Sequence, residues 1–202
     1  MEAKTINFFT ANTKKTVLTL CLLASLGLII NSIWIPVKAK VAQHLLHAAW
    51  EKSLEESVTV KPWPWFDFVP VAELVMPKYR INQIVLSSDA GGALAFGPGE
   101  NSLASKMPQA AKIISGHRDT HFEFLRDVKI GDEITLNKPE TSLLYEIEHI
   151  EIVDSNKVKI SPTGYGKHLI LVTCYPFDDI SGSSSLRYVV FASQKKVTPS
   201  LT

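Results

Sequence analysis

LILVTCYPFD, Leu169 to Asp178, is a run of apolar and β-branched residues that ends in a cysteine and is closed by a Tyr-Pro pair. Such a run reads as a buried strand that delivers one thiol to its end, where the loop begins and the side chain can meet a ligand. Cys174 is therefore the first candidate for chemistry. Against it stands the ordinary role of a free cysteine as a small buried hydrophobe, so the rest of the chain has to decide.

Outward from that strand the pattern stays β-rich. Short runs of strand-forming residues lie at Glu73 to Met76, Arg80 to Leu86, Lys112 to Ser115, Glu133 to Leu136, Leu143 to Val153, His168 to Thr173 and Tyr188 to Ala192. Turn-rich stretches such as Ser88-Asp-Ala-Gly-Gly and Gly97-Pro-Gly separate them. Many short strands with little helix predict an all-β domain, a closed or nearly closed barrel. A chain of 202 residues accommodates one such domain with appendages.

The appendage is N-terminal. Thr16 to Ile35, TVLTLCLLASLGLIINSIWI, is uncharged and about as long as a helix needs to cross a bilayer, roughly 20 residues. It is expected to be an uncleaved transmembrane helix; the alternative is a signal peptide cut near Val37-Lys38-Ala39. Lys4, Lys14 and Lys15 precede the span and Lys38 and Lys40 follow it, a slight bias that favours residues 1–15 in the cytoplasm and everything after Ile35 outside. The expected location is thus the cell (inner) membrane, single-pass, with the folded domain extracytoplasmic. Val41 to Leu54 shows the spacing of one helical face. The aromatic, proline-broken stretch Lys61-Pro-Trp-Pro-Trp-Phe-Asp reads as a linker that packs onto the domain. The divisions expected are 16–35 for the span, 36–70 for helix and linker, 71–194 for the catalytic domain and 195–202 for a polar tail.

Charge and motif absences narrow the function. Lys plus Arg number 21 and Asp plus Glu 20, so no basic footprint points to nucleic acid. No zinc-ligand spacing and no phosphate-cradling glycine loop is present; neither cofactor nor metal is expected. Cys21 lies in the apolar span and Cys174 in the exported part, so they are not expected to pair, and Cys174 is an unpaired thiol in an oxidising compartment. A cysteine nucleophile needs its thiolate, a proton donor for the leaving amine and a fixed donor for the oxyanion. His117, Cys174 and Arg187 could fill those roles, although an arginine entering a strand is usually a surface ion-pair partner and a histidine after a glycine is more often a turn residue; the substrate-binding residues are unassigned.

Taken in order, LAFGPGE at Leu94 to Glu100, GHRDTHF at Gly116 to Phe122, GDEITL at Gly131 to Leu136, LVTCYPF at Leu171 to Phe177 and LRYVVFA at Leu186 to Ala192 resemble the sortases, the membrane-anchored cysteine transpeptidases of bacterial surfaces. The PWPWFDFVPVAEL and AFGPG stretches are most similar to the sortases of Gram-negative bacteria. The resemblance implies an eight-stranded sortase barrel with short helices, Cys174 at the end of its penultimate strand and Arg187 on its last. It implies His117, Cys174 and Arg187 as catalytic residues, with His121 a neighbour only. Ile170 stands where many members have a threonine, and Glu100 where a histidine is expected. The implied substrate is a protein with a C-terminal Leu-Pro-x-Thr-Gly-like sorting signal, cleaved between Thr and Gly, and the acyl group passes to an amine acceptor. Two alternatives stay open: a membrane-anchored cysteine hydrolase that uses water, and a membrane-anchored binding domain in which Cys174 is inert.

Overall fold

The computed structural model describes residues 3–107, 109–179 and 184–195, and within its first helix the side chains of residues 3–12, 30, 31, 33 and 35 lie outside that description. Two compact units result, Met1–Gln43 and His44–Thr202.

The first unit is helical. Helix α1, Ala3–Glu56, contains the whole of the expected span and runs through Pro36 into the amphipathic stretch, which is therefore not a separate helix. A proline inside a helix removes one N–H donor, and here it does not end the element. Val17, Leu18, Leu20, Leu22, Leu23, Leu26, Leu28 and Ile29 are all exposed on it. Among the described residues no helix is long and apolar enough to cross a membrane.

The second unit is a barrel. Its strands are β1 (Pro70–Met76), β2 (Ile81–Leu86), β3 (Gly99–Glu100), β4 (Lys112–Ser115), β5 (Glu133–Lys138), β6 (Thr141–Asp154), β7 (His168–Cys174) and β8 (Leu186–Gln194). They close in the order β1-β2-β3-β4-β7-β8-β6-β5. The pairs β2–β3 and β4–β7 are parallel and the rest antiparallel. Seven of these strands match the expected runs, but β3 escaped the sequence reading because two residues carry no period. Its path depends on glycine: a Cβ on Gly99 would lie 1.9 Å from the Ser88 carbonyl oxygen, inside the neighbouring backbone.

Alternation places the core. On β1, Ala72, Leu74 and Met76 point inward and are buried, and the intervening Val71, Glu73 and Val75 are half-buried. β7 is different, because it is covered on both faces. Leu169 and Leu171 join the barrel interior, whereas Ile170 and Val172 pack outward with Ala104, Ala111, Ile113, Val189 and Phe191. A strand covered on both sides has no polar face, which is why the run reads as continuously apolar. The aromatic linker packs as expected: Trp63, Phe66, Phe68 and Phe96 cluster with Leu46 and Trp50 over Ile84 and Leu86.

Glu100, which the sequence left unexplained, faces the barrel interior beside Ile114. Its buried carboxylate lies 3.5 Å from both Lys112 Nζ and Lys138 Nζ. The position holds an internal anion between two cations. Burial, and then the charge of Glu100, push the nearby Tyr145 phenol up to about 12.

Candidate active site

β4 and β7 run parallel with Ser115 opposite Val172, so both strands present their C-terminal ends to the same rim. Gly116 N–H donates to the Val172 carbonyl at 3.1 Å and the Thr173 hydroxyl donates to the Gly116 carbonyl at 2.7 Å. These two bonds extend the pairing by one residue, and His117 and Cys174 follow side by side. Gly116 has a steric reason: a Cβ there would lie 2.7 Å from the ring of Phe122, which is fully buried. The ring fills the space under the turn, and Phe122 N–H closes that turn on the His117 carbonyl at 2.9 Å.

His117 and Cys174 line one pocket with Arg118, Asp119, Asp179 and Ser184. Both are exposed, and Cys174 is a free thiol. The position is telling, since the preceding Leu169, Ile170, Leu171 and Thr173 are all buried. Cys174 is thus no core hydrophobe.

Arg187 sits directly across from Cys174 in the β7–β8 register, and opposed residues of an antiparallel pair project from the same face. Its Nη1 donates to the Ser184 carbonyl at 2.9 Å and to the Leu186 carbonyl at 2.8 Å. His117 and Cys174 share the pocket, whereas Arg187 is brought next to Cys174 by the strand register but is not among the residues that line it. His121 is not among the pocket residues. It is half-buried, and burial, followed by the charge of His117, holds its imidazole below the usual value of 6.5.

The sequence reading missed Arg118 and Asp119, which lie inside the quoted GHRDTHF stretch. Nothing in their adjacency separates them from an exposed loop pair, yet the Arg118 side chain is only 8% exposed. The hydrogen bond from Arg118 is the main cause that keeps the Asp119 carboxyl below the usual carboxylate range. The loop after Cys174 is also held by Arg126, whose Nη2 reaches Asp178 Oδ1 at 3.1 Å, and by Phe177 packed edge-on against Tyr188 at 5.1 Å. Among the described residues no group of three or more His, Cys, Asp and Glu side chains is placed to hold a metal ion.

A second, largely apolar groove adjoins the pocket on the outer face of β4 and β7. It is lined by Ile113, Ser115, Val172, Leu103, Met107, Ile160 and Pro162, with Asp89 and Asn101 at its polar edge. Val172 and Cys174 share one face of β7, about 7 Å apart along the strand.

A model of the sortase domain matches residues 74–195. Sortase D of Bacillus subtilis (strain 168) is 37% identical over 87 residues, 43% of this chain and 42% of that protein; the chain thus matches less than half the length of this curated relative. Among solved structures, the Clostridium perfringens Sortase D5 transpeptidase is similar with a TM-score of 0.59 at 19% identity, over 78% of this chain and 99% of that one. Sortase A from Corynebacterium diphtheriae is similar with a TM-score of 0.55 at 24% identity, over 65% of this chain and 63% of that one. At these identities the structures speak to the fold alone. None of these relatives supports the Gram-negative subgroup expected from the PWPWFDFVPVAEL and AFGPG stretches; Trp63, Phe66, Phe68 and Phe96 of these stretches are used in packing and Trp65 is exposed.

Proposed function

Because the chain belongs to the sortase family, we propose that it is a cysteine transpeptidase that cleaves a C-terminal sorting signal and passes the acyl product to an amine. The observation that carries this reading is an exposed thiol at the end of a buried strand, sharing a pocket with His117. An inert packed cysteine would be neither exposed nor faced by an imidazole.

In this mechanism Cys174 Sγ attacks the carbonyl carbon of the residue before the scissile bond. The tetrahedral intermediate places negative charge on the former carbonyl oxygen, and a donor fixed in advance stabilises it most. Arg187 is opposite Cys174 and already oriented by the Ser184 and Leu186 carbonyls, which suits it to hold the oxyanion or the adjoining substrate backbone. As the intermediate collapses, His117 gives its proton to the leaving amine and a thioester remains on Cys174. An incoming amine then attacks the thioester, with His117 taking its proton. The apolar groove beside Val172 suits the Leu-Pro part of a Leu-Pro-x-Thr-Gly-like signal, which supplies two apolar side chains and an extended backbone.

Thr16 to Ile35 anchors the chain in the cell membrane in this proposal, with residues 1–15 in the cytoplasm and the barrel outside. The exposed leucines of α1 support the anchor, since water is a poor solvent for such a surface. Protease added to intact spheroplasts should reach the barrel, and a fully protected barrel would reverse the orientation.

Activity is tested with the full-length protein in mild detergent and a fluorogenic Leu-Pro-x-Thr-Gly peptide, with and without an added amine. Mass spectrometry should show cleavage after Thr and an amine adduct, both lost in Cys174→Ala. Cleavage with no adduct at any amine concentration would establish the hydrolase instead.

A further inference from the structure

The sheet brings His117 and Cys174 side by side, but no ladder bond joins them. The β4–β7 ladder ends at Ser115 and Val172, and the two bonds that extend it stop at Gly116 and Thr173. The loops then diverge, one towards Phe122 and the other towards Asp179. Two parallel strands that end together give no turn to join their loops, so another element has to fix the two side chains relative to each other.

Arg118 makes that connection. Its Nε donates to Asp119 Oδ1 at 2.7 Å and its Nη2 to Asp119 Oδ2 at 3.1 Å, a two-pronged fork that fixes the guanidinium plane. From that plane Nη1 donates to the Pro176 carbonyl at 2.5 Å and Nη2 to the Asp179 carbonyl at 2.6 Å. The residue next to His117 thereby grips the backbone two and five residues beyond Cys174. Resting on the catalytic reading above, we infer that Arg118 is a positioning residue that holds the His117 loop and the Cys174 loop at the separation the proton transfer requires.

Two rival roles fit less well. A substrate-binding arginine presents its two-pronged face to the ligand, but the fork and the two carbonyls already take four of the five N–H donors of Arg118 and leave a single Nη1 N–H. A purely stabilising role does not call for an arginine, because an apolar side chain of similar volume usually serves a buried site as well. What the guanidinium adds is direction: a carboxylate and two carbonyls met in one plane by rigid donors, which a lysine cannot reproduce.

The test reads the coupling of the two side chains without relying on turnover. Alkylation of Cys174 by iodoacetamide is followed against pH on the Cys174 peptide by mass spectrometry, in the full-length protein, His117→Ala, Arg118→Gln and Arg118→Lys. The wild-type profile should differ from that of His117→Ala, because the imidazole shares the pocket with the thiol. Arg118→Gln should move towards the His117→Ala profile although His117 is still present. Its kcat for the peptide should fall by about 10²-fold, the order expected for a misplacement of about 1 Å, while KM changes by less than about threefold. Arg118→Lys, which can reach one carbonyl but not both, should fall between. Wild-type profile and kcat in folded Arg118→Gln would overturn the inference, and if that variant does not fold, the same result in Arg118→Lys does so. Coincident profiles for wild type and His117→Ala would instead overturn the pairing of His117 with Cys174, and this inference with it.

Discussion

Glu100→Gln removes one charge from the barrel interior and almost nothing else, since the two side chains have nearly the same shape. The carboxylate is 8% exposed and lies 3.5 Å from the ammonium groups of Lys112 and Lys138, which are themselves 30% and 20% exposed. At that distance, and with an effective dielectric of about 20, each attraction amounts to about 5 kcal/mol before desolvation is subtracted. Breaking a buried pair by removing one partner typically costs about 3 to 5 kcal/mol, because the remaining charge stays buried without compensation. For a domain of this size that corresponds to a melting temperature lower by about 6 to 20 °C. The assay is a thermal melt of the full-length protein in detergent, repeated from neutral to alkaline pH. Burial, the largest cause, and the charge of Lys112 hold Lys138 below its ordinary value of 10.5, against the pull of Glu100. Below 10.5 the unfolded chain therefore keeps that proton more readily than the folded one, so this group makes stability rise with pH beneath 10.5. Removing Glu100 should widen the window, and Glu100→Gln should regain part of its loss in alkali. Adding Lys138→Met should regain more. A variant within about 1 kcal/mol of wild type at neutral pH would refute the reasoning, because the charges would then be solvated and not paired.

Gly116→Ala forces a Cβ to within 2.7 Å of the Phe122 ring, so overpacking should cost about 1 to 3 kcal/mol; the displaced turn carries His117, and kcat should drop far more than KM rises. Arg187→Ala should lower turnover by about 10²-fold with the fold intact, and Arg187→Lys should recover little, since one ammonium cannot copy the planar donor; near-normal turnover would mean that backbone amides alone hold the oxyanion. His121 is held below its usual value by burial and then by His117, so the folded chain binds fewer protons there than the unfolded one and loses stability as pH falls below about 6.5. His121→Gln should flatten that limb of the stability curve and leave turnover within about threefold of wild type; loss of activity in this variant, with His117→Ala still active, would show that the wrong histidine was assigned.

The amino-acid order alone carried the architecture a long way, for a physical reason. β7 is covered on both faces, so its burial is written as an unbroken apolar run, and the end of that run marks where Cys174 leaves the core. The other long strands announce themselves through period and turn residues, and the order of five short stretches was enough to bring His117, Cys174 and Arg187 forward. β3 was not legible, because two residues have no period and its course is set by the close passage of Gly99 against Ser88. Glu100 was not legible either, since its partners Lys112 and Lys138 are near only after the barrel closes. Arg118 gives the sharpest case. In sequence it is a charged residue beside another charged residue in a loop, and nothing local separates it from a solvated pair. Only the parallel docking of β4 on β7 brings the Pro176 and Asp179 carbonyls within its reach, because contacts between segments nearly 60 residues apart depend on closure of the whole sheet and leave no trace in the spacing of their own neighbours.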